Sequence, residues 1–90
     1  MILIELLTAP GCAYCETAKL RVTDFAQKAR NDFPDLAVRI IDIAAHPEIR
    51  FKYGIYSTPA IAINGHLEII GVPKEEDLKS RIQKASGKSL

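Results

Sequence analysis

The chain opens with an aliphatic run, Ile2 to Leu7, that stops at the breakers Thr8-Ala9-Pro10-Gly11 and gives way to a pattern of helical period. Ala18, Val22, Phe25, Ala26 and Ala29 fall on one face of a helix that the spacing predicts from Ala13 to about Asn31, while Lys19, Thr23, Lys28 and Arg30 fall elsewhere. A second run, Leu36 to Ile43, reads as a strand buried on both faces by its near-continuous aliphatics. Strand, helix and strand in so short a span leave few options. The two strands pair in parallel through a right-handed crossover.

The remainder adds to this unit. Pro47 suits a first helical turn and Gly54 a helix C-terminus, giving one short helix between them. The runs "PAIAI" and "HLEII" flank Asn64-Gly65, a strong signal for a type I′ hairpin. After the break at Gly71-Val72-Pro73, "KEEDLKSRIQKA" places acids first and bases later, with Leu78, Ile82 and Ala85 on one face. The expected fold is α/β: a three-layer sandwich in the order βαβαββα, with a mixed four-stranded sheet and helices on both faces.

Ninety residues make a single domain, spanning 1–90. With 48% hydrophobic and 26% charged residues and a net charge of +1, there is no electrostatic case for a nucleic acid or an acidic membrane as partner. No apolar run approaches the roughly 20 residues that cross a bilayer. "MILIELL" is short, carries Glu5 and lacks a basic leader, so it does not read as a signal peptide. The expected compartment is the cytoplasm, where a structural disulfide would be out of place. The spacing of the only two cysteines, Cys12 and Cys15, therefore carries information.

Cys12 falls where the first strand gives way to the first helix, and Cys15 about one turn into that helix. Unpaired N–H groups and the positive end of the helix dipole stabilise a thiolate there, so the Cys12 pKa should fall below the free value of about 8.5. Cys15, three residues on, is within disulfide reach and should be more buried and less nucleophilic. Cys12 would attack a substrate disulfide and Cys15 would resolve the mixed disulfide. A zinc site is the competing use of such a pair. The chain has no second CxxC, and His46 and His66 fit no zinc-finger spacing. No metal or cofactor within the chain is expected. Tyr14, between the cysteines, either shapes substrate contact or packs over the helix start.

Pro59 opens the third strand in "YSTPAIAING". A proline there suits an edge or a strand start. A cis Thr58–Pro59 bond would instead turn the N–H and C=O of Thr58 toward the cysteines, to pair with an extended substrate peptide.

Taken together, "PGCAYC", the stretch "HPEIRFKYGIYSTPAIAINGHLEIIGVPKEEDL" and the order of elements resemble a small member of the thioredoxin superfamily over nearly the full length. The resemblance implies that Thr58–Pro59 is cis and packs against the disulfide, and that Gly71 allows close passage of the last strand near the active site. It also implies an enzyme that reduces disulfide-containing protein substrates as a monomer, with a separate thioredoxin reductase-like donor. The departures are specific. Gly11 stands where thioredoxins carry Trp, Ala13-Tyr14 replaces Gly-Pro, and Leu6 stands where they bury an aspartate. Glu5, one residue earlier, should point to the opposite face of the strand and is not assigned that acid's role. "CAYCETAKL" is similar to the glutaredoxin motif, which makes glutathione the alternative reductant. The lysine before the motif and the "GG"-plus-acids signature of that family are missing. A non-catalytic binding module on the same fold, or a dimer holding an iron–sulfur cluster with external thiols, is the remaining alternative.

Overall fold

A computed structural model of the chain describes residues 1–87. The order of elements is β1 (Leu3–Thr8), α1 (Cys15–Ala29), β2 (Ala37–Asp42), α2 (Pro47–Tyr53), β3 (Ala60–Ile63), β4 (His66–Ile70) and α3 (Glu75–Ser86). The four strands form one sheet in the order β2-β1-β3-β4. β1 pairs in parallel with β2 and antiparallel with β3, and β3 pairs antiparallel with β4. The mixed sheet with three helices is the expected fold.

The period of two along β1 sorts its side chains between two layers. Ile4 and Leu6 meet Ala18, Val22, Phe25 and Ala26 of α1 and Leu78 and Ile82 of α3. Leu7 faces the other way and packs with Ala60 and Ile55, bordered by Ile49 and Tyr53 of α2. Helices therefore cover both faces, two on one side and one on the other. β4 reaches both layers through a bulge: Leu67 pairs with Ala62 and Ile69 with Ile61, so that Glu68 is the extra residue.

The hairpin forms as its sequence predicts. Asn64 and Gly65 take φ of 51° and 83°, the two positive values that a type I′ turn requires. Asn64 also fastens the turn to β1, its amide donating to the Leu3 carbonyl and its Oδ1 accepting from the Leu3 amide, both at 2.9 Å. Pro47 stands at the start of α2, and Gly54 closes it in the left-handed conformation.

Three local expectations need correction. β2 is an edge strand, not one buried on both faces. Arg39 is exposed and Ile40 is 45% exposed, because β1 and β3 occupy the centre and the seven-residue α2 leaves the outer strand partly uncovered. α1 begins at Cys15 rather than Ala13, since a turn closed by the Cys12 amide on the Ala9 carbonyl (3.3 Å) precedes it, and it ends at Ala29 rather than near Asn31. α3 buries Leu78 and Ile82, while Ala85 near its end is exposed.

Leu78 is fully buried and anchors α3 to the sheet. Leu78→Ala should cost about 2–5 kcal/mol in urea denaturation followed by circular dichroism, whereas Ile40→Ala on the half-open edge should cost under about 1 kcal/mol.

Candidate active site

The sheet register brings the sequence-predicted site residues to one edge. Leu7 of β1 pairs with Ala60 of β3, and Ala60 pairs with Ile70 of β4. The chain leaving β1 runs through Ala9 to Cys12, the chain entering β3 comes from Thr58 and Pro59, and the chain leaving β4 passes Gly71. All three leave from the same end of neighbouring strands. The Gly71 amide donates to the Pro59 carbonyl at 2.8 Å, which closes β3 and β4 together there.

Cys12 and Cys15 are joined in a disulfide with their Cα atoms 5.5 Å apart. Cys15 is the first residue of α1 and is 8% exposed, held by the wall of the core that Ala18 continues. Cys12 lies in the preceding turn and is only half-buried. Tyr14 is the N-cap residue of α1, and its carbonyl accepts the first helical bond, from Ala18, at 3.0 Å. Tyr14 is 66% exposed.

The Thr58–Pro59 bond is cis. Thr58 is half-buried and Pro59 buried. Gly71 has φ of 99°, a backbone conformation that side chains oppose, and that accounts for its glycine. No atom lies within 4 Å of where its Cβ would be. The backbone of Gly71 passes within hydrogen-bond distance of Pro59, while its Cβ direction faces open space. Among the described residues no group of three potential metal ligands is present.

One buried acid stands apart from the cysteines. Glu5 is 5% exposed and, as its parity predicts, lies on the α2 side of β1, opposite Leu6. It accepts a hydrogen bond of 2.6 Å from the hydroxyl of Tyr53, the last residue of α2. Burial, and then the bond and charge of Glu5, push the Tyr53 hydroxyl up to about 12. The sequence signal was a single acid in an otherwise aliphatic strand. Its partner, forty-eight positions away, became identifiable only once α2 was placed.

A disulfide at the head of a helix, with Cys12 half-buried and Cys15 in the core wall, is the arrangement of a thiol–disulfide oxidoreductase. Residues 2–83 match the family profile described as Thioredoxin domain. A thioredoxin of Methanocaldococcus jannaschii is 40% identical over 82 residues, which cover 90% of this chain and 92% of that protein. The chain belongs to the thioredoxin family. Among solved structures, a protein disulfide oxidoreductase from Aeropyrum pernix superposes with a TM-score of 0.78 at 36% identity, covering 99% of this chain. This chain spans only 39% of that protein's length. A mutant thioredoxin from Halobacterium salinarum has the same fold at a TM-score of 0.74 and 23% identity, with 92% of this chain and 73% of that one covered.

The Glu5–Tyr53 pair predicts a pH dependence. Below pH 10 both folded and unfolded chains keep the phenol proton, and the pair contributes in full. Between pH 10 and about 12 the unfolded chain releases that proton first, so stability falls as pH rises. The loss is at most about 2.7 kcal/mol, and less because the ring is half-exposed. Tyr53→Phe should lack this component of the alkaline loss. It should also be about 1–3 kcal/mol less stable at pH 7, where Glu5 stays buried without its donor. Paired urea titrations at pH 7 and 11.5 measure both effects.

Proposed function

We propose that the chain is a single-domain, monomeric, cytoplasmic thioredoxin that reduces disulfides in partner proteins. The observation that carries the assignment of roles is the asymmetry of the pair: Cys12 half-buried in the turn, Cys15 8% exposed at the first position of α1. A substrate sulfur can reach the first and is kept from the second. That no helix among the described residues is long and apolar enough to cross a membrane accords with this reading.

In the reduced protein, the first-turn N–H groups of α1 favour the thiolate of Cys12. This thiolate attacks one sulfur of a substrate disulfide. The new Cys12–substrate bond forms as the substrate S–S bond breaks, and the departing thiolate takes a proton from water. The Cys15 thiolate then attacks the Cys12 sulfur, forming the Cys12–Cys15 disulfide and releasing the second substrate thiolate. Two electrons pass to the substrate. A separate reductase, itself a dithiol donor, returns them.

Thr58, Pro59, Gly71 and Tyr14 form the substrate edge. The segment entering β3 offers Thr58 backbone groups to an extended chain in the manner of strand addition. The open space over Gly71 leaves room for that chain, and the exposed Tyr14 ring supplies an apolar contact beside the sulfurs.

Cys15→Ser should accumulate protein-sized mixed disulfides through Cys12, visible by mass spectrometry and cleared by dithiothreitol. Cys12→Ser should accumulate none and should lose disulfide reduction by at least about a thousandfold, as expected for loss of a nucleophile. Trapping through Cys15 in the Cys12→Ser variant would reverse the assigned roles.

A further inference from the structure

Beside the substrate edge, α2 and the loop after it present a surface that the chemistry at the sulfurs does not use. Phe51 is 80% exposed and Tyr56 90% exposed, an unusual outlay of aromatic surface for a small chain with no tryptophan. Arg50 precedes Phe51 in α2, and its guanidinium carbon lies 5.8 Å from the centre of the Tyr56 ring. Arg50 is also tied to the loop after α2. Its Nε donates to the Ile55 carbonyl, and its own carbonyl accepts from the Ile55 amide, both at 3.3 Å.

These contacts leave a particular edge of the guanidinium for a ligand. Nε is committed to Ile55 and one face to Tyr56, while no described residue accepts from the two terminal nitrogens. Those nitrogens form the fork that takes a carboxylate through two parallel hydrogen bonds. The side chain is already fixed, so little rotamer freedom remains to be lost on binding. The local charge has the matching sign. Lys52 is the next basic residue, its ammonium 5.0 Å from the Tyr53 ring, and Glu48 at the other end of α2 lies 3.4 Å from His46 Nδ1.

We propose that Arg50, with Phe51 and Tyr56 as its apolar border, is a docking surface for an acidic segment of the protein substrate, and that it selects disulfides with a carboxylate a short distance along the chain. Tyr56 is three residues before Pro59, at most about 11 Å along the backbone. An extended substrate advances about 3.3 Å per residue, so a carboxylate some three to six residues from the half-cystine spans the gap. This inference rests on the proposed reduction of protein disulfides and adds its selectivity.

The test uses the reduced full-length protein and two synthetic peptide disulfides identical except at positions three to six, which carry Asp and Glu in one and Lys in the other. The readout is the ratio of their second-order reduction rate constants, in which any loss common to both cancels. The wild type should favour the acidic peptide roughly tenfold at low salt, with the ratio shrinking toward one near 0.5 M salt. Arg50→Glu should bring the ratio to one or below, and Arg50→Lys should retain only part of it because the fork is lost. Equal rates for both peptides with the wild type, or an unchanged ratio in Arg50→Glu, would overturn the docking surface and leave the oxidoreductase reading intact. Reduction of neither peptide by the wild type would instead overturn that reading and the docking surface with it.

Discussion

The pairing of β1 with β3 is the constraint from which the rest of the structure follows. β1 is flanked by strands on both sides and covered by helices on both faces, and Leu7 sits opposite Ala60. That single register decides which residues leave the sheet together. It sets the turn that bears Cys12 beside the turn that bears Pro59, two segments separated by more than forty residues of sequence. A slip of one residue would send Ile4 and Leu6 to the α2 side and Glu5 into the cluster with Val22 and Phe25. The burial of Leu6 and Ile61 at 0% exposure makes such a slip expensive. The core thereby fixes the geometry of the end of the sheet from which the Cys12 and Pro59 segments leave.

The two faces of β1 do different work. On one, α1 and α3 close over an apolar layer with no polar member, and Cys15 is buried at the start of α1. On the other, a short helix with no fully buried residue of its own rests on a smaller cluster. Tyr53 and Glu5 add a hydrogen bond there between helix and strand. α2 then delivers the chain to Thr58 and Pro59 through Ile55, which is buried, and Arg50, which holds Ile55 from outside. The thinner layer thus carries the segment that leads to the cis Thr58–Pro59 bond, with directed polar contacts where apolar area is scarce.

Much of this was legible in the sequence because the signals were local. The breakers at Thr8 to Gly11, the helical spacing of Ala18 to Ala26, the Asn64-Gly65 turn and the Pro47 and Gly54 helix ends each depend on a few adjacent residues. The two cysteines announced themselves by spacing and by their place at a strand-to-helix turn. What was not legible depends on packing at a distance. Aliphatic continuity in "AVRIID" is compatible with a central strand, and only the placement of β3 on the far side of β1 makes β2 an edge. Glu5 could be sent to the correct face by parity alone, yet its partner required the position of α2. Gly71 was expected at a close passage of the last strand; its amide does bond to the Pro59 carbonyl, and its positive φ, which no local pattern announced, became visible only in the structure.

The proposed function requires that Cys12 and Cys15 form a reversible two-electron couple on a scaffold that stays folded in both states. An equilibrium titration against a graded thiol–disulfide buffer, read by mass spectrometry for the intrachain disulfide and by circular dichroism for the fold, tests it directly. One Nernstian two-electron transition is expected, within the span of about −270 to −120 mV that this class covers, with the circular dichroism signal of a folded protein throughout. A pair that cannot be re-oxidised to the intrachain disulfide, or a chain that unfolds on reduction, would contradict it.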